Sequence, residues 1–185
     1  MRIISGIHKG RSIHAPKNLP VRPTTDFAKE ALFNILSNHF DLEECSVLDL
    51  FCGSGNITYE FASRESKEIT SVDINFHCSS FVKKTCSDFK MDQVKVIKSD
   101  VFSFLKNAFG KYDIVFADPP YDLEKIELIP DLVFEKNILK ENGMLILEHG
   151  PKTSFLQHPY FKEHRKYGNV NFSLFYKTSD SLSDT

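Results

Sequence analysis

The sequence predicts an α/β fold: a mainly parallel seven-stranded sheet with helices on both faces and a small N-terminal β-hairpin extension. Three observations carry this. Short apolar runs of strand length alternate with segments of helical period, which implies right-handed crossovers between parallel strands. A glycine-rich turn, Cys52-Gly53-Ser54-Gly55-Asn56, follows one such run and opens a helix. The run Ile114-Val115-Phe116-Ala117 reads as a buried central strand. It is closed by Asp118-Pro119-Pro120-Tyr121, where two prolines forbid both helix and further ladder pairing.

In chain order, Arg2 to Ala15 reads as two short strands around a Lys9-Gly10 turn, with Ile3, Ile4 and Ile7 before it and Ile13 after. Three prolines make 16–23 a loop. Thr24 or Thr25 caps the next helix, Asp26 complements its dipole, and Phe27, Ala31, Leu32, Ile35 and Leu36 form its apolar face. Val47–Phe51 is the first core strand. Ile69–Ile74, Val94–Ile97, Tyr112–Asp118 and Gly143–Glu148 are the next four, with a helix running on from the glycine turn through Tyr59 and Phe61, another over roughly 76–89 and a third to about Phe109. The stretch 122–140 reads as mostly helical, interrupted near Pro130. Segments 161–167 and 170–177 form an antiparallel hairpin. The expected organisation is a basic extension over 1–23, a main domain over 24–177 and a disordered tail over 178–185.

Composition narrows the function. A chain of 185 residues, 41% hydrophobic, forms one domain with a substantial core. No apolar run reaches the roughly 18 residues of a membrane helix. The four cysteines show no CxxC pattern and the seven histidines no HExxH, so a metal site is not expected and the thiols are reduced in the cytosol. Net charge is −2, but residues 1–25 carry Arg2, Lys9, Arg11, Lys17 and Arg22 without one acid, a segment suited to phosphates.

The chemistry lies at strand ends, where open α/β sheets bind ligands. Asp118, the proline carbonyls and Tyr121 emerge together and suit a flat ring bearing an amine: Tyr121 stacks, and Asp118 with a main-chain carbonyl accepts from the exocyclic NH2. Asp49-x-Phe51-x-Gly53-x-Gly55 has the context of a nucleotide site but is a poor dinucleotide loop, because Asp49 repels a pyrophosphate and suits a cationic amine or sulfonium. Asp73, followed by Ile74, accepts from ribose hydroxyls. Asp100 accepts from an adenine amine, with the Val101 N–H beside it, or else serves only as a helix cap. Together these acids outline adenosine with a cationic tail, S-adenosylmethionine. Cys52 reads as a small packed residue rather than a nucleophile, with no histidine nearby in sequence to activate it.

On these residues the chain resembles a Rossmann-like class I methyltransferase: VLDLFCGSG is similar to its first motif and DPPY to its fourth. The N-terminal hairpin, the RPTTDFAKEALFNIL helix and the DPPY strand together resemble the RsmD family, over nearly the whole chain to about Lys177. Asn56-Ile57-Thr58-Tyr59 and Asp73-Ile74-Asn75 depart from the family's usual residues at those two positions. The resemblance implies methyl transfer to the exocyclic N2 of a guanine in 16S ribosomal RNA within a small-subunit particle, by a cytoplasmic monomer. It also implies that Arg22 and Thr24 lie close to the cofactor pocket, and Arg2, Lys9, Arg11, Arg22 and Thr24 are the candidate RNA contacts. Two other readings share these motifs: a DNA adenine-N6 methyltransferase, for which no segment is long enough to be a target-recognition region, and a non-catalytic cofactor- or RNA-binding module. A protein-methylating enzyme is a third.

Overall fold

The computed structural model describes residues 1–16, 19 and 25–177. Its elements are α1 (Asp26–His39), β1 (Ser46–Leu50), α2 (Asn56–Ser63), β2 (Glu68–Asp73), α3 (Phe76–Asp88), β3 (Val94–Lys98), α4 (Val101–Asn107), β4 (Tyr112–Ala117), α5 (Leu128–Glu135), β5 (Leu139–His149), β6 (Phe161–Tyr167) and β7 (Val170–Phe175). The sheet order is β3-β2-β1-β4-β5-β7-β6. The first five strands are parallel and β7 runs antiparallel to both β5 and β6. The order reverses between β1 and β4, the position where such sheets open a crevice at their carboxyl ends.

Strand alternation sorts the core into two layers. Val47, Ile69, Ile114, Phe116 and Ile146 face one way, against Leu32, Phe33 and Leu36 of α1, Phe61 of α2 and Val82 of α3. Leu48, Leu50, Val72, Val115 and Leu147 face the other way, with Leu105 of α4 and Ile129 and Val133 of α5. These strands are buried on both sides, so they read as continuous apolar runs.

Three expectations change in detail. Residues 1–13 do not form a two-stranded ladder. They make a single Arg2–Ser12 bridge with tight turns, because their polar backbone is bonded instead to α2. The helix after the proline tetrad is α5 alone. Pro130 sits in its first turn, where backbone N–H groups lack helical partners anyway, so it interrupts nothing. Leu139 and Lys140 belong to β5: Leu139 pairs with Tyr112, and the Tyr112 N–H donates to the Ile138 carbonyl at 2.9 Å. Of the two threonines, Thr25 is the cap, its Oγ1 accepting from the Ala28 N–H at 3.2 Å. Thr24 and the tail 178–185 lie outside the described residues.

The N-terminal segment is held by one buried acid. Glu60 accepts from the N–H groups of Ile4 (2.9 Å) and Ser5 (3.0 Å), and pairs with Lys29 Nζ at 3.4 Å and Arg64 Nη2 at 3.1 Å. Lys29 also donates to the Arg2 carbonyl (2.6 Å) and to Asn56 Oδ1 (2.9 Å). The side chains of Lys29 and Glu60 are 1% and 0% exposed. Burial lowers the Lys29 ammonium from its ordinary range, and the Glu60 charge opposes that shift.

Removing one partner of such a pair strands the other charge, which costs about 3–5 kcal/mol. Glu60→Ala is therefore expected to lower unfolding free energy by that order in urea titration. Lys29→Met is expected to cost less, because Glu60 keeps Arg64 and two backbone donors. Equal urea midpoints for Glu60→Ala and the wild type would sink this account.

Candidate active site

Backbone geometry builds the site before any side chain acts. β1 ends at Leu50, and Phe51 turns out of the sheet with φ 59°, followed by Gly53 at 53° and Gly55 at 83°. A bulky aromatic in the left-handed region is uncommon and strained. The loop is tied down where this happens: Cys52 N–H donates to the Val72 carbonyl at 3.1 Å, Gly55 N–H to the Cys52 carbonyl at 2.8 Å, and Gly53 N–H to Asp73 Oδ2 at 2.8 Å. Gly55 admits no larger residue, since a Cβ there would lie 2.6 Å from the Tyr59 ring.

The acids at the strand ends fall into distinct environments. Asp73 is partly buried and already organises the loop, its other oxygen accepting from the Asn75 N–H at 2.8 Å. Each carboxylate oxygen can accept a second bond, so Asp73 remains able to take hydroxyls. Asp100 caps α4, accepting from the Ser103 N–H at 2.8 Å; Val101, the first helical residue, is buried beside it. Ile74 is 63% exposed, an apolar side chain left in water beside the crevice.

Asp49 is fully buried. It accepts from Thr58 Oγ1 at 2.5 Å, and Thr58 in turn lies 2.8 Å from Ser71 Oγ. Burial pushes the Asp49 carboxyl up to about 7; the Thr58 hydrogen bond opposes this, and the charges of Asp118 and Asp73 add to it. The residues that depart from the family's usual pattern thus have work here. Thr58 holds Asp49, Asn56 takes Lys29, and Asn75 caps α3 by accepting from the N–H groups of His77 and Cys78.

Asp118 stands one residue beyond β4, partly buried, its N–H 3.4 Å from the Leu50 carbonyl. The Pro120 carbonyl accepts from the Leu123 N–H at 2.9 Å and so is occupied by the turn. Pro119 is buried, and none of the turn and loop backbone hydrogen bonds among the described residues ends on its carbonyl. Tyr121 is 57% exposed, and its O–H donates to Glu148 Oε1 at 3.3 Å. Glu148 is a residue that motif reading passes over. Its only sequence signal is an acid ending the apolar strand Gly143–Leu147. Ala117 pairs with Leu147 in register, so Asp118 and Glu148 follow side by side. Burial lifts both carboxyls far above the usual carboxylate range, and the Asp118 charge lifts Glu148 further.

Not every candidate lies here. Arg2 pairs with Asp26 at the start of α1, 3.2 Å away. His8 N–H binds Ser63 Oγ at the far end of α2, so neighbouring Lys9 and Arg11 lie toward the opposite end of the sheet from Asp118. Arg11 sits 5.0 Å over the Phe89 ring, just past α3. Arg22, like Thr24, lies outside the described residues. Cys52 is buried, and burial pushes its thiol well up, which keeps it unreactive. Among the described residues no group of three or more His, Cys, Asp or Glu is arranged to hold a metal.

A family model described as "Conserved hypothetical protein 95" matches residues 1–176. Ribosomal RNA small subunit methyltransferase D of Haemophilus influenzae is 34% identical, over 80% of this chain and 78% of the relative. The chain belongs to the RsmD family. The protein of the same name in Escherichia coli is 29% identical, over 100% of this chain and 93% of its own. The solved structure of yhhF from Escherichia coli superposes with a TM-score of 0.81 at 28% identity, covering 95% and 96% of the two chains. The RsmD assignment and the sheet order agree on a Rossmann-like methyltransferase fold.

Asp49 sets a pH dependence. Its carboxyl is raised in the folded state, so its contribution to stability is full below the ordinary value of 3.8 and lost as pH rises through about 7. Asp49→Asn removes that loss. In thermal unfolding of the ligand-free protein, the variant is expected to decline less than the wild type between these two pH values. Parallel curves would remove the burial argument.

Proposed function

We propose that this chain transfers a methyl group from S-adenosylmethionine to the exocyclic N2 of a guanine in 16S ribosomal RNA. The observation that carries the reading is the Asp118-Pro119-Pro120-Tyr121 turn leaving β4 beside the glycine loop of β1, in a chain of the RsmD family. Among the described residues, Asp49, Asp73 and Asp118 form no ion pair with a lysine or arginine. A cluster of acids without cations fits a ligand carrying a sulfonium and an ammonium. Asp73 would hold the ribose, Ile74 and the Val101 N–H with Asp100 the adenine, and the loop Phe51–Gly55 the cationic tail under the field of Asp49. When bound, the cofactor supplies an electrophilic methyl.

The guanine amine is a weak nucleophile, because its lone pair is delocalised into the ring. Asp118 and the Pro119 carbonyl accept its two protons and favour a pyramidal nitrogen with a directed lone pair. Much of the rate gain is positioning, and the acceptors add stabilisation where positive charge grows on nitrogen. As the nitrogen–carbon bond forms, the methyl–sulfur bond would break with its electron pair leaving on sulfur, and one N–H bond breaks. Its electron pair stays on nitrogen and the proton passes to Asp118. Tyr121 stacks on the base, which must be unstacked or already exposed in the RNA. Arg2, Lys9 and Arg11, which stand apart from the acids at the strand ends, contact phosphates along the N-terminal segment. The enzyme works as a cytoplasmic monomer on a protein-bound small-subunit particle, with 1–23 as a basic extension of the methyltransferase domain.

Labelled methyl transfer to small-subunit particles, naked 16S RNA and duplex DNA, followed by nucleoside analysis, tests this. N2-methylguanosine from RNA is the expected product; N6-methyladenine in DNA would overturn the substrate and leave the cofactor. Asp118→Ala is expected to nearly abolish turnover with cofactor affinity unchanged, and Asp73→Ala to weaken that affinity. Full turnover by Asp118→Ala would end the mechanism.

A further inference from the structure

The Glu148 carboxyl has no place in the reaction just described, yet it is the least satisfied acid near it. It is 3% exposed, and its Oε2 has no hydrogen-bond partner among the described residues. A buried carboxyl oxygen left without a partner costs stability, so its position calls for an explanation. Register places it beside Asp118, and its other oxygen takes the Tyr121 hydroxyl at 3.3 Å. We propose that Glu148 is a positioning residue: its carboxyl shares one proton with Asp118 across the ends of β4 and β5, and this fixes the direction of the Asp118 carboxylate and the plane of the Tyr121 ring. The inference rests on the reading of Asp118 and Tyr121 given under Proposed function.

The surroundings leave this pair to itself. In register on β7, the neighbour of Glu148 is Phe172, which carries no charge. His149, next on β5, is bonded to the Gly150 carbonyl (2.9 Å) and Ser173 Oγ (2.8 Å). Lys29, on α1 over the same face of the sheet, is committed to Glu60 and Asn56. The ionisable groups left to act on Glu148 among the described residues are Asp118 and Tyr121. Two adjacent buried carboxyls cannot both ionise cheaply, and they hold one proton between them. With Glu148 as the acid, its O–H donates to Asp118 and its carbonyl oxygen accepts from Tyr121, so all three groups are satisfied in one chain. Asp118 then remains the single anion, aimed at the crevice rather than free to rotate.

The test has two arms. In the ligand-free protein, carbon-13 carboxyl titration is expected to show one glutamate still protonated near neutral pH, its signal absent in Glu148→Gln and its titration moved to lower pH in Asp118→Asn. Titration of Glu148 in the ordinary range, about 4.3, would overturn the proposal. In turnover, Glu148→Ala is expected to lower kcat by about 100-fold, as for a misplaced reacting group, with cofactor affinity and melting temperature near those of the wild type. Glu148→Gln, whose amide donates to Asp118 at every pH, is expected to recover most of that loss and to abolish the alkaline fall in kcat that the wild type shows when Glu148 ionises. Superimposable pH profiles for Glu148→Gln and the wild type, or full turnover by Glu148→Ala, would overturn the proposal. The nucleoside analysis separates this outcome from a wrong substrate: a product other than N2-methylguanosine fails the substrate reading, while the ligand-free titration still decides the role of Glu148.

Discussion

The buried carboxylate of Glu60 joins three parts of the chain that otherwise share little. It takes the backbone N–H groups of Ile4 and Ser5, the ammonium of Lys29 on α1 and the guanidinium of Arg64. Through Lys29 it also reaches Asn56, the first residue of α2, where the glycine loop ends. A segment of about 16 residues with two large buried apolar side chains, Ile3 and Ile13, has little hydrophobic area with which to hold itself in place. Charge-assisted hydrogen bonds to its backbone supply the rest, and Gly6 lets the segment lie against the Ser63 carbonyl where a Cβ would collide. The loop that shapes the crevice is thus braced from one side by Asp73 at the end of β2 and from the other by the Lys29–Glu60 pair.

The crevice itself runs against stability. Asp49, Asp73, Asp118 and Glu148 gather at the ends of β1, β2, β4 and β5, and Asp49, Asp118 and Glu148 are raised by burial in the first place. The two-sided core of the parallel strands holds them there, since strand register rather than side-chain attraction sets their spacing. A folded sheet can impose a like-charge cluster that no isolated peptide would keep. Such a cluster is complementary in charge to a cationic ligand. Strain at Phe51 and crowded charge at Asp118 stand side by side at the same strand ends.

Much of this was legible in the chain and some was not, for reasons of sequence distance. All seven strands of the sheet could be read, because their central residues form apolar or alternating runs separated by turn and helix signals. The acids at strand ends were legible because position along a strand is local information. The Leu139–Lys140 pairing was not, since helical composition there is overruled by Tyr112 and Ile138 meeting across the sheet. Glu60 was invisible for a similar reason: its partners lie at positions 4, 5, 29 and 64, and a glutamate inside a helix carries no local mark of burial. Thr58 and Asn56 looked like departures from a pattern until Asp49 and Lys29 were seen against them.

Glu60 and Glu148 make the most instructive comparison in the molecule. Both are glutamates buried almost completely, and both lie against elements that shape the crevice. Glu60 is surrounded by two cations and two backbone donors, so its charge is fully answered and its place is structural. Glu148 meets another carboxyl and one hydroxyl, and one of its oxygens is unanswered. Had it served packing alone, an apolar residue in that place would be more stable, because a buried acid without a cation adds nothing to the core. The environment that makes Glu148 a poor structural residue, a second carboxyl in register at the strand end and one unanswered oxygen, is the observation on which its proposed role beside Asp118 rests.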